Sequence, residues 1–320
     1  MIGFDIGGTK CAVTIGRETE QGLEILGKAR IPTDLSVSAY EMLDRMCEQL
    51  DQLLVGNEEV KDVIGISCGG PLDSARGLIL SPPNLPGWDQ IEVVSYLEKR
   101  YQIPAYLQND ANACAVAEWL YGAGKGTENM IFLTFGSGLG AGLILNGRLY
   151  AGTNDMAGEV GHVRLGEYGP VGYGKAGSFE GYCSGNGIAA LGRILATEKL
   201  QMGGRVSYCK SWEELPDITA KKIADCAKEG EADAKEVYRI CGEKLGTGLA
   251  MLIDILNPES IVIGSVFQRS EELLRDAMEA VIAKESLSYA RAVCKVVPAA
   301  LTENIGDYAA LSIAAMHRKH

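Results

Sequence analysis

Between Ser38 and Leu54 the apolar side chains Tyr40, Leu43, Met46, Cys47, Leu50, Leu53 and Leu54 recur at steps of three and four, the spacing of one helix face. Ala111 to Tyr121 predicts a second helix, beginning directly after an Asn-Asp pair. Helical patterns dominate from Gly187 to Leu256, and Tyr308 to His317 predicts a closing helix. Elsewhere short apolar runs end in glycine clusters. Met1 to Ile15 reads as a strand, a tight glycine turn and a returning strand. Val63 to Ser67 runs into the turn cluster Gly69 to Asp73, and Ala105 to Leu107 runs into the Asn-Asp pair. Met130 to Leu145 repeats the strand, glycine turn, strand unit of the opening, and Ser260 to Ile263 is a last strand before another glycine turn.

Strands alternating with helices predict an α/β fold. The recurrence of the glycine hairpin predicts two similar lobes. With 320 residues, 47% of them hydrophobic, the chain can bury a full core. A net charge of −12 argues against nucleic acid as a partner, because that polyanion is held by Lys and Arg. Nine scattered cysteines form no C-x-x-C pair, so neither a disulfide framework nor a zinc knuckle is expected, and a reducing cytoplasm fits. The opening M-I-G-F-D-I-G-G-T-K lacks the basic and apolar regions of a signal peptide. The longest uncharged apolar stretch, Ile131 to Leu145, is shorter than a membrane span and carries four glycines, so no membrane role is expected.

D-I-G-G-T-K (Asp5 to Lys10) packs an acid, two glycines, a hydroxyl and a cation into one turn. Triphosphate chemistry needs backbone that can approach phosphate, a donor hydroxyl and an acid for hydrated magnesium. An ordinary hairpin turn with a solvated Lys would carry the same residues, and the Walker A pattern is absent. T-F-G-S-G-L-G-A-G (Thr134 to Gly142) again offers glycine backbone and a hydroxyl, Ser137. Two such turns on separate hairpins form a stronger signal than either one. In Q-N-D-A-N (Gln108 to Asn112), Asp110 can be a helix N-cap or a general base at a strand end. A-G-E-V-G-H (Ala157 to His162) holds the one histidine in the body of the chain, the others being His317 and His320. A lone histidine is more often structural, but a glycine-bounded segment beside Glu159 is a poor place for a packed one.

Taken together, D-I-G-G-T-K, S-C-G-G-P-L-D, S-P-P-N-L-P-G-W, N-D-A-N, the glycine loop and G-E-V-G-H stand in the order and rough spacing of ROK family sugar kinases (repressor, open reading frame, kinase). N-P-E-S-I-V-I-G-S (Asn257 to Ser265) and I-G-D-Y-A-A-L (Ile305 to Leu311) also resemble that family's later elements. The resemblance covers nearly the whole chain. It implies the two-lobed actin-like ATPase (ribonuclease H-like) fold with a sugar and ATP cleft between lobes. Residues 1–110 with about 305–320 would form the small lobe and 111–304 the large one. The activity implied is ATP-dependent phosphorylation of a hexose hydroxyl, usually O6, of glucose or a related hexose or N-acetylhexosamine. Asp110 would be the base; Asn84, Asn109, Glu159, His162 and Glu180 would hold the sugar. Asp5, Gly7, Gly8, Thr9, Lys10, Gly136, Ser137 and Gly138 would surround the phosphates, with magnesium near Asp5. Gly264 and the segment Gly246 to Gly248 would lie near the adenosine. Family members are commonly dimers or tetramers, so a homo-oligomer is implied.

Two departures from the family pattern stand out. Many members place three zinc-binding cysteines after G-E-x-G-H, where this chain has Val171, Tyr173 and Ser178. No structural zinc is therefore expected, with Tyr173 and Phe179 packing in its stead. Ser265 replaces a usual glycine after Gly264. A family regulator would carry an N-terminal helix-turn-helix module, for which the motif beginning at Asp5 leaves no room. A sugar sensor without catalysis is disfavoured by the intact Asp110 and both glycine turns.

Overall fold

A computed structural model describes residues 1–318, the side chain of Glu303 excepted; His320 lies outside the described residues. Ten helices and fourteen strands form among them. Strands β1 (Ile2–Ile6), β2 (Lys10–Thr19), β3 (Gly22–Pro32), β4 (Ile64–Cys68) and β7 (Ala105–Asn109) make one sheet in the order β3-β2-β1-β4-β7. The short pair β5 (Leu72–Asp73) and β6 (Leu78–Ile79) stands apart. Strands β8 (Met130–Phe135), β9 (Leu139–Leu145), β10 (Arg148–Leu149), β13 (Ser260–Ile263) and β14 (Lys295–Pro298) make a second sheet in the order β10-β9-β8-β13-β14. Each sheet is an antiparallel three-strand run continued by parallel strands. The repeated glycine hairpin in the sequence is this repeated topology.

In the first unit, α1 (Ala39–Leu54) and α2 (Val93–Tyr101) pack with one face of the sheet. Met42, Leu43, Met46 and Leu50 join Phe4, Ile6, Val13, Ile64, Ile66 and Leu97 in one buried cluster. Each fully buried side chain of this size contributes about 1.5–3 kcal/mol, whereas exposed ion pairs such as Arg239 with Glu236 contribute about 1 kcal/mol or less. The core therefore carries this fold. Helix α10 (Ile305–His317) also packs on β1 and β4, so closely that a Cβ at Gly65 would stand 2.0 Å from the carbonyl oxygen of Ala310. Alanines line that contact because the helix backbone must reach the strands. At the C-terminal end of α10, the His317 ring stacks on Tyr106 with centroids 3.9 Å apart.

The chain divides into two compact units whose bounds differ from the lobes drawn from the resemblance. Unit one comprises Met1–Glu128, Gly142–Ala157 and the chain from Ala300; unit two comprises Asn129–Ala141 and Gly158–Ala299. Helix α3 (Asp110–Tyr121) belongs with the first unit rather than the second, because it packs on α10. The buried Glu118 carboxylate reinforces this by accepting from the amides of Ala123 at 2.8 Å, Ala300 at 3.1 Å and Leu301 at 2.8 Å. The second unit holds α4 (Phe179–Tyr182), α5 (Gly185–Gln201), α6 (Ala220–Lys228), α7 (Ala232–Leu256), α8 (Val266–Glu285) and α9 (Ser288–Val293), with strands β8, β13 and β14. A small hairpin, β11 (Val171–Gly172) with β12 (Lys175–Ala176), completes it. No helix among the described residues is long and apolar enough to cross a membrane.

Candidate active site

The parallel strands β1, β4 and β7 align Asp5 with Ser67 and Gln108, and Ile6 with Cys68 and Asn109. Three motifs thus leave the sheet at one carboxyl edge, the edge at which open α/β sheets bind ligands. The backbone of Gly69 and Gly70 is the meeting point. A Cβ at Gly69 would lie 3.5 Å from Asn84 Oδ1 and 3.9 Å from Asp110 Oδ2, and one at Gly70 would lie 3.3 Å from Asn109 Nδ2. Asn84, Asn109 and Asp110, which the resemblance assigns to one site, converge here.

The helix cap at this junction is the neighbour of Asp110. Asn109 is the N-cap of α3, its Oδ1 accepting from the amides of Ala111 at 3.0 Å and Asn112 at 3.4 Å. Asn109 therefore offers a ligand its amide nitrogen. Asp110 Oδ1 accepts from the Ala111 amide at 2.8 Å, and its second oxygen turns to Gly69. Gln108 steadies the junction, its Oε1 accepting from Asn109 N at 2.8 Å and Asn112 Nδ2 at 3.0 Å. Asp110 keeps an accessible face, yet desolvation pushes its carboxyl above the usual range, with backbone amides pulling the other way.

Asp5 is pushed up to about 7, first by desolvation and then by the charges of Asp110 and Asp307, against which Lys10 and Lys28 act. Asp307 was not expected from sequence. It is buried in the first turn of α10, ion-paired with Lys28 and 3.6 Å from Arg30. The I-G-D-Y segment marks it as part of a motif but carries no sign that its acid reaches β1. The turn itself is braced from β3: Thr33 Oγ1 donates to the Gly7 carbonyl at 2.6 Å, and the Thr33 amide donates to that of Thr9 at 3.1 Å. Thr9 and Lys10 are exposed. A Cβ at Gly8 would stand 2.4 Å from the Asn84 carbonyl oxygen. Glycine is thus required by the asparagine loop as well as by any phosphate. If the turn and the loop serve nucleotide and hexose as the resemblance implies, Gly8→Val should raise the KM for both. An unchanged hexose KM would show that the loop yields freely.

In the second unit the glycine turn closes on itself, with Gly136 N donating to Gly138 O at 3.1 Å and Gly185 N to Gly136 O at 2.7 Å. Glu180 Oε2 accepts from Leu139 N at 3.0 Å and would lie 2.7 Å from a Cβ at Gly138. One oxygen of this acid is therefore committed to the turn. Beside the turn is a cleft of about 380 Å³ lined by Ser137, Asn186, Arg193, Thr219, Lys221, Ser265 and Arg269, among others, with no carboxylate among the described residues. Gly264 precedes it, its amide donating to Leu133 O at 3.0 Å. Ser265 has φ +57°, a conformation that favours glycine, so the departure from the family pattern falls on a strained position. Gly246 and Gly248 do not line the cleft. They are buried in α7, where a Cβ would strike the Met278 carbonyl of α8 at 2.5 Å or the Phe179 ring of α4 at 2.3 Å, and are packing glycines.

Glu159 precedes the 3₁₀ turn Val160–His162, and His162 is exposed. The segment aligned with the zinc-binding cysteines is the β11–β12 hairpin, with Val171 opposite Ala176 and Tyr173 and Gly174 at φ +44° and +74°. Backbone bonds hold it: Gly177 N donates to Pro170 O at 3.0 Å, Phe179 N to Val163 O at 2.7 Å, and Arg164 Nη1 to Ala176 O at 2.7 Å. Phe179 is buried as expected, whereas Tyr173 stands 77% exposed and meets the His162 ring edge-on, and Ser178 is the buried N-cap of α4. Among the described residues no group of three His, Cys, Asp or Glu is placed to hold a metal ion. Purified untagged protein should carry well under one zinc per chain, and chelation should leave activity intact once magnesium is restored. Stoichiometric zinc whose removal abolishes activity would contradict this.

Comparison with known proteins gives relatives of two kinds. The glucokinase of Halalkalibacterium halodurans is 34% identical over 278 residues, covering 85% of this chain and 82% of its own. The xylose repressor of Caldicellulosiruptor bescii is 32% identical over 229 residues; 71% of this chain is covered, but only 56% of the repressor. Among solved structures, the ROK family glucokinase from Streptomyces griseus in complex with glucose and AMPPNP superposes with a TM-score of 0.73 at 28% identity, covering 99% of each chain. The fold is accordingly that of the actin-like ATPases. The ROK family sequence profile matches residues 1–316, and the chain belongs to the ROK family.

Proposed function

We propose that this protein transfers the γ-phosphoryl group of ATP to a hexose hydroxyl, O6 of glucose or a related hexose or N-acetylhexosamine, with Asp110 as general base. The observation that carries the reading is the convergence of Asp110, Asn84 and Asn109 on Gly69–Gly70, at the same strand edge as Asp5 and its glycine turn. A carboxyl raised above its usual range by desolvation suits a base that must accept a hydroxyl proton. Asn84 Oδ1 and Asn109 Nδ2 supply an acceptor and a donor for neighbouring hydroxyls. Sugar epimers would be rejected through the polar groups they leave unpaired once the sugar covers them.

The acidic neighbourhood of Asp5 suits magnesium carried with the nucleotide, an ion that keeps its waters and needs only one or two carboxylates. When bound, it neutralises charge on the phosphates. In the second unit, the glycine turn and the carboxylate-free cleft with Arg193, Lys221 and Arg269 favour a nucleotide polyanion in a chain of net charge −12. Proton acceptance by Asp110 and positioning of the hydroxyl would supply the chain's part of the rate.

The regulator relatives define the rival reading, a sugar-responsive body without catalysis. A coupled assay with ATP, magnesium and a hexose panel decides between them. Sugar-phosphate formation that requires ATP supports the kinase; hexose binding without turnover on any acceptor would overturn it.

A further inference from the structure

The hairpin that replaces the zinc-binding segment touches His162 twice. Lys175 Nζ on β12 donates to the His162 carbonyl at 2.7 Å, gripping the backbone. Tyr173, at the hairpin tip, meets the His162 ring with centroids 6.2 Å apart and planes at 79°. This edge-to-face geometry is one that aromatic pairs prefer. Tyr173 has no other ring partner among the described residues and stands at φ +44°, a strained conformation for a tyrosine. An exposed tyrosine held in strain is poorly explained by core packing. It is explained if its ring is needed where the turn puts it.

The geometry points to the β11–β12 hairpin as the orienting device for His162, with Tyr173 fixing the ring and Lys175 the backbone, so that the ring which the family resemblance assigns to the hexose is held without a metal. Both are positioning residues rather than ligands. The inference rests on the proposed hexose-kinase reading for its functional consequence, while the contact itself does not.

The test uses Tyr173→Ala, Tyr173→Phe and Lys175→Met in the full chain, each also built on His162→Ala. Tyr173 is at an exposed turn, so truncation should leave the melting temperature nearly unchanged. In Tyr173→Ala the His162 ring proton resonances, assigned through His162→Ala, should move as the neighbouring ring current disappears. Its KM for hexose should rise about two- to tenfold, the value of one aromatic pair, with kcat and the KM for ATP held within about twofold. Tyr173→Phe should retain both the resonances and the KM, and Lys175→Met should change the KM in the same direction. In the His162→Ala background Tyr173→Ala should add nothing further. Unmoved His162 resonances, or an equal effect in both backgrounds, would overturn the orienting role. Moved resonances with an unchanged hexose KM would uphold the hairpin's hold on the ring and sink the assignment of His162 to the hexose. Absence of turnover in the unmutated protein would overturn the kinase reading alone.

Discussion

Asp110→Asn should lower kcat for hexose phosphorylation by about 10²–10⁴-fold while leaving hexose affinity within about tenfold. Asparagine keeps the shape of the side chain, and its oxygen can still accept from the Ala111 amide at the position Asp110 Oδ1 now fills. What it cannot do is take a proton from the sugar. Asn109 caps α3 independently, so the helix start should survive and the loss should not be one of folding. In the unmutated protein, the proposed activity should rise with pH through a range above ordinary carboxylate values, because desolvation raises Asp110 and only an ionised carboxyl can act as the base. Single-turnover measurements with saturating hexose separate chemistry from product release. A variant that phosphorylates at near the original rate would remove Asp110 from the mechanism.

Asp5→Asn should cost about 10²-fold or more in turnover and yet stabilise the folded chain at alkaline pH. The carboxyl of Asp5 is raised from 3.8 to about 7 in the folded state. A carboxyl raised in this way binds its proton more tightly when folded. Its contribution to stability is complete below about pH 4 and is lost as pH rises to about 7. Above that pH the folded chain carries a charge in a place that desolvation and two neighbouring acids make unfavourable. So large a rise sets a ceiling of about 4 kcal/mol; partial solvent access and the offsetting lysines reduce the expectation to about 1–2 kcal/mol. Asparagine removes that cost, so the melting temperature at pH 8 should rise by about 1–3 °C, with the gain shrinking toward pH 4. Such an exchange of stability for activity is common where function concentrates like charges. A variant destabilised equally at both pH values would mean that the Asp5 carboxylate is a structural acceptor instead.

Much of the site is visible in the sequence because its pieces are local. A glycine turn, the acid before it and the hydroxyl after it lie within six residues, Asp5 to Lys10, so the constraint that joins them is written in consecutive letters. The same holds for Q-N-D-A-N, where a strand passes into a helix, and for the apolar spacing that makes α1. The order of these motifs along the chain identifies the family, and the repeated hairpin anticipates the two sheets of like topology.

Other features depend on contacts between segments far apart in the chain. Asp307 meets Lys28 across 279 residues, and no periodicity or motif reports that pairing. Gly8 needs to be glycine partly because the Asn84 loop lies against it, a constraint created only when β1 and that loop pack. Helix α3 joins the first unit because Glu118 binds the amides of Ala300 and Leu301, which the local pattern of its own helix does not reveal. The loss of three cysteines shows in the sequence, but their replacement by a hairpin with Tyr173 against His162 does not. Short-range patterns record what a residue needs from its chain neighbours. Burial, charge and ring contacts are set by which distant segments the fold brings together, and those were decided only by the tertiary structure.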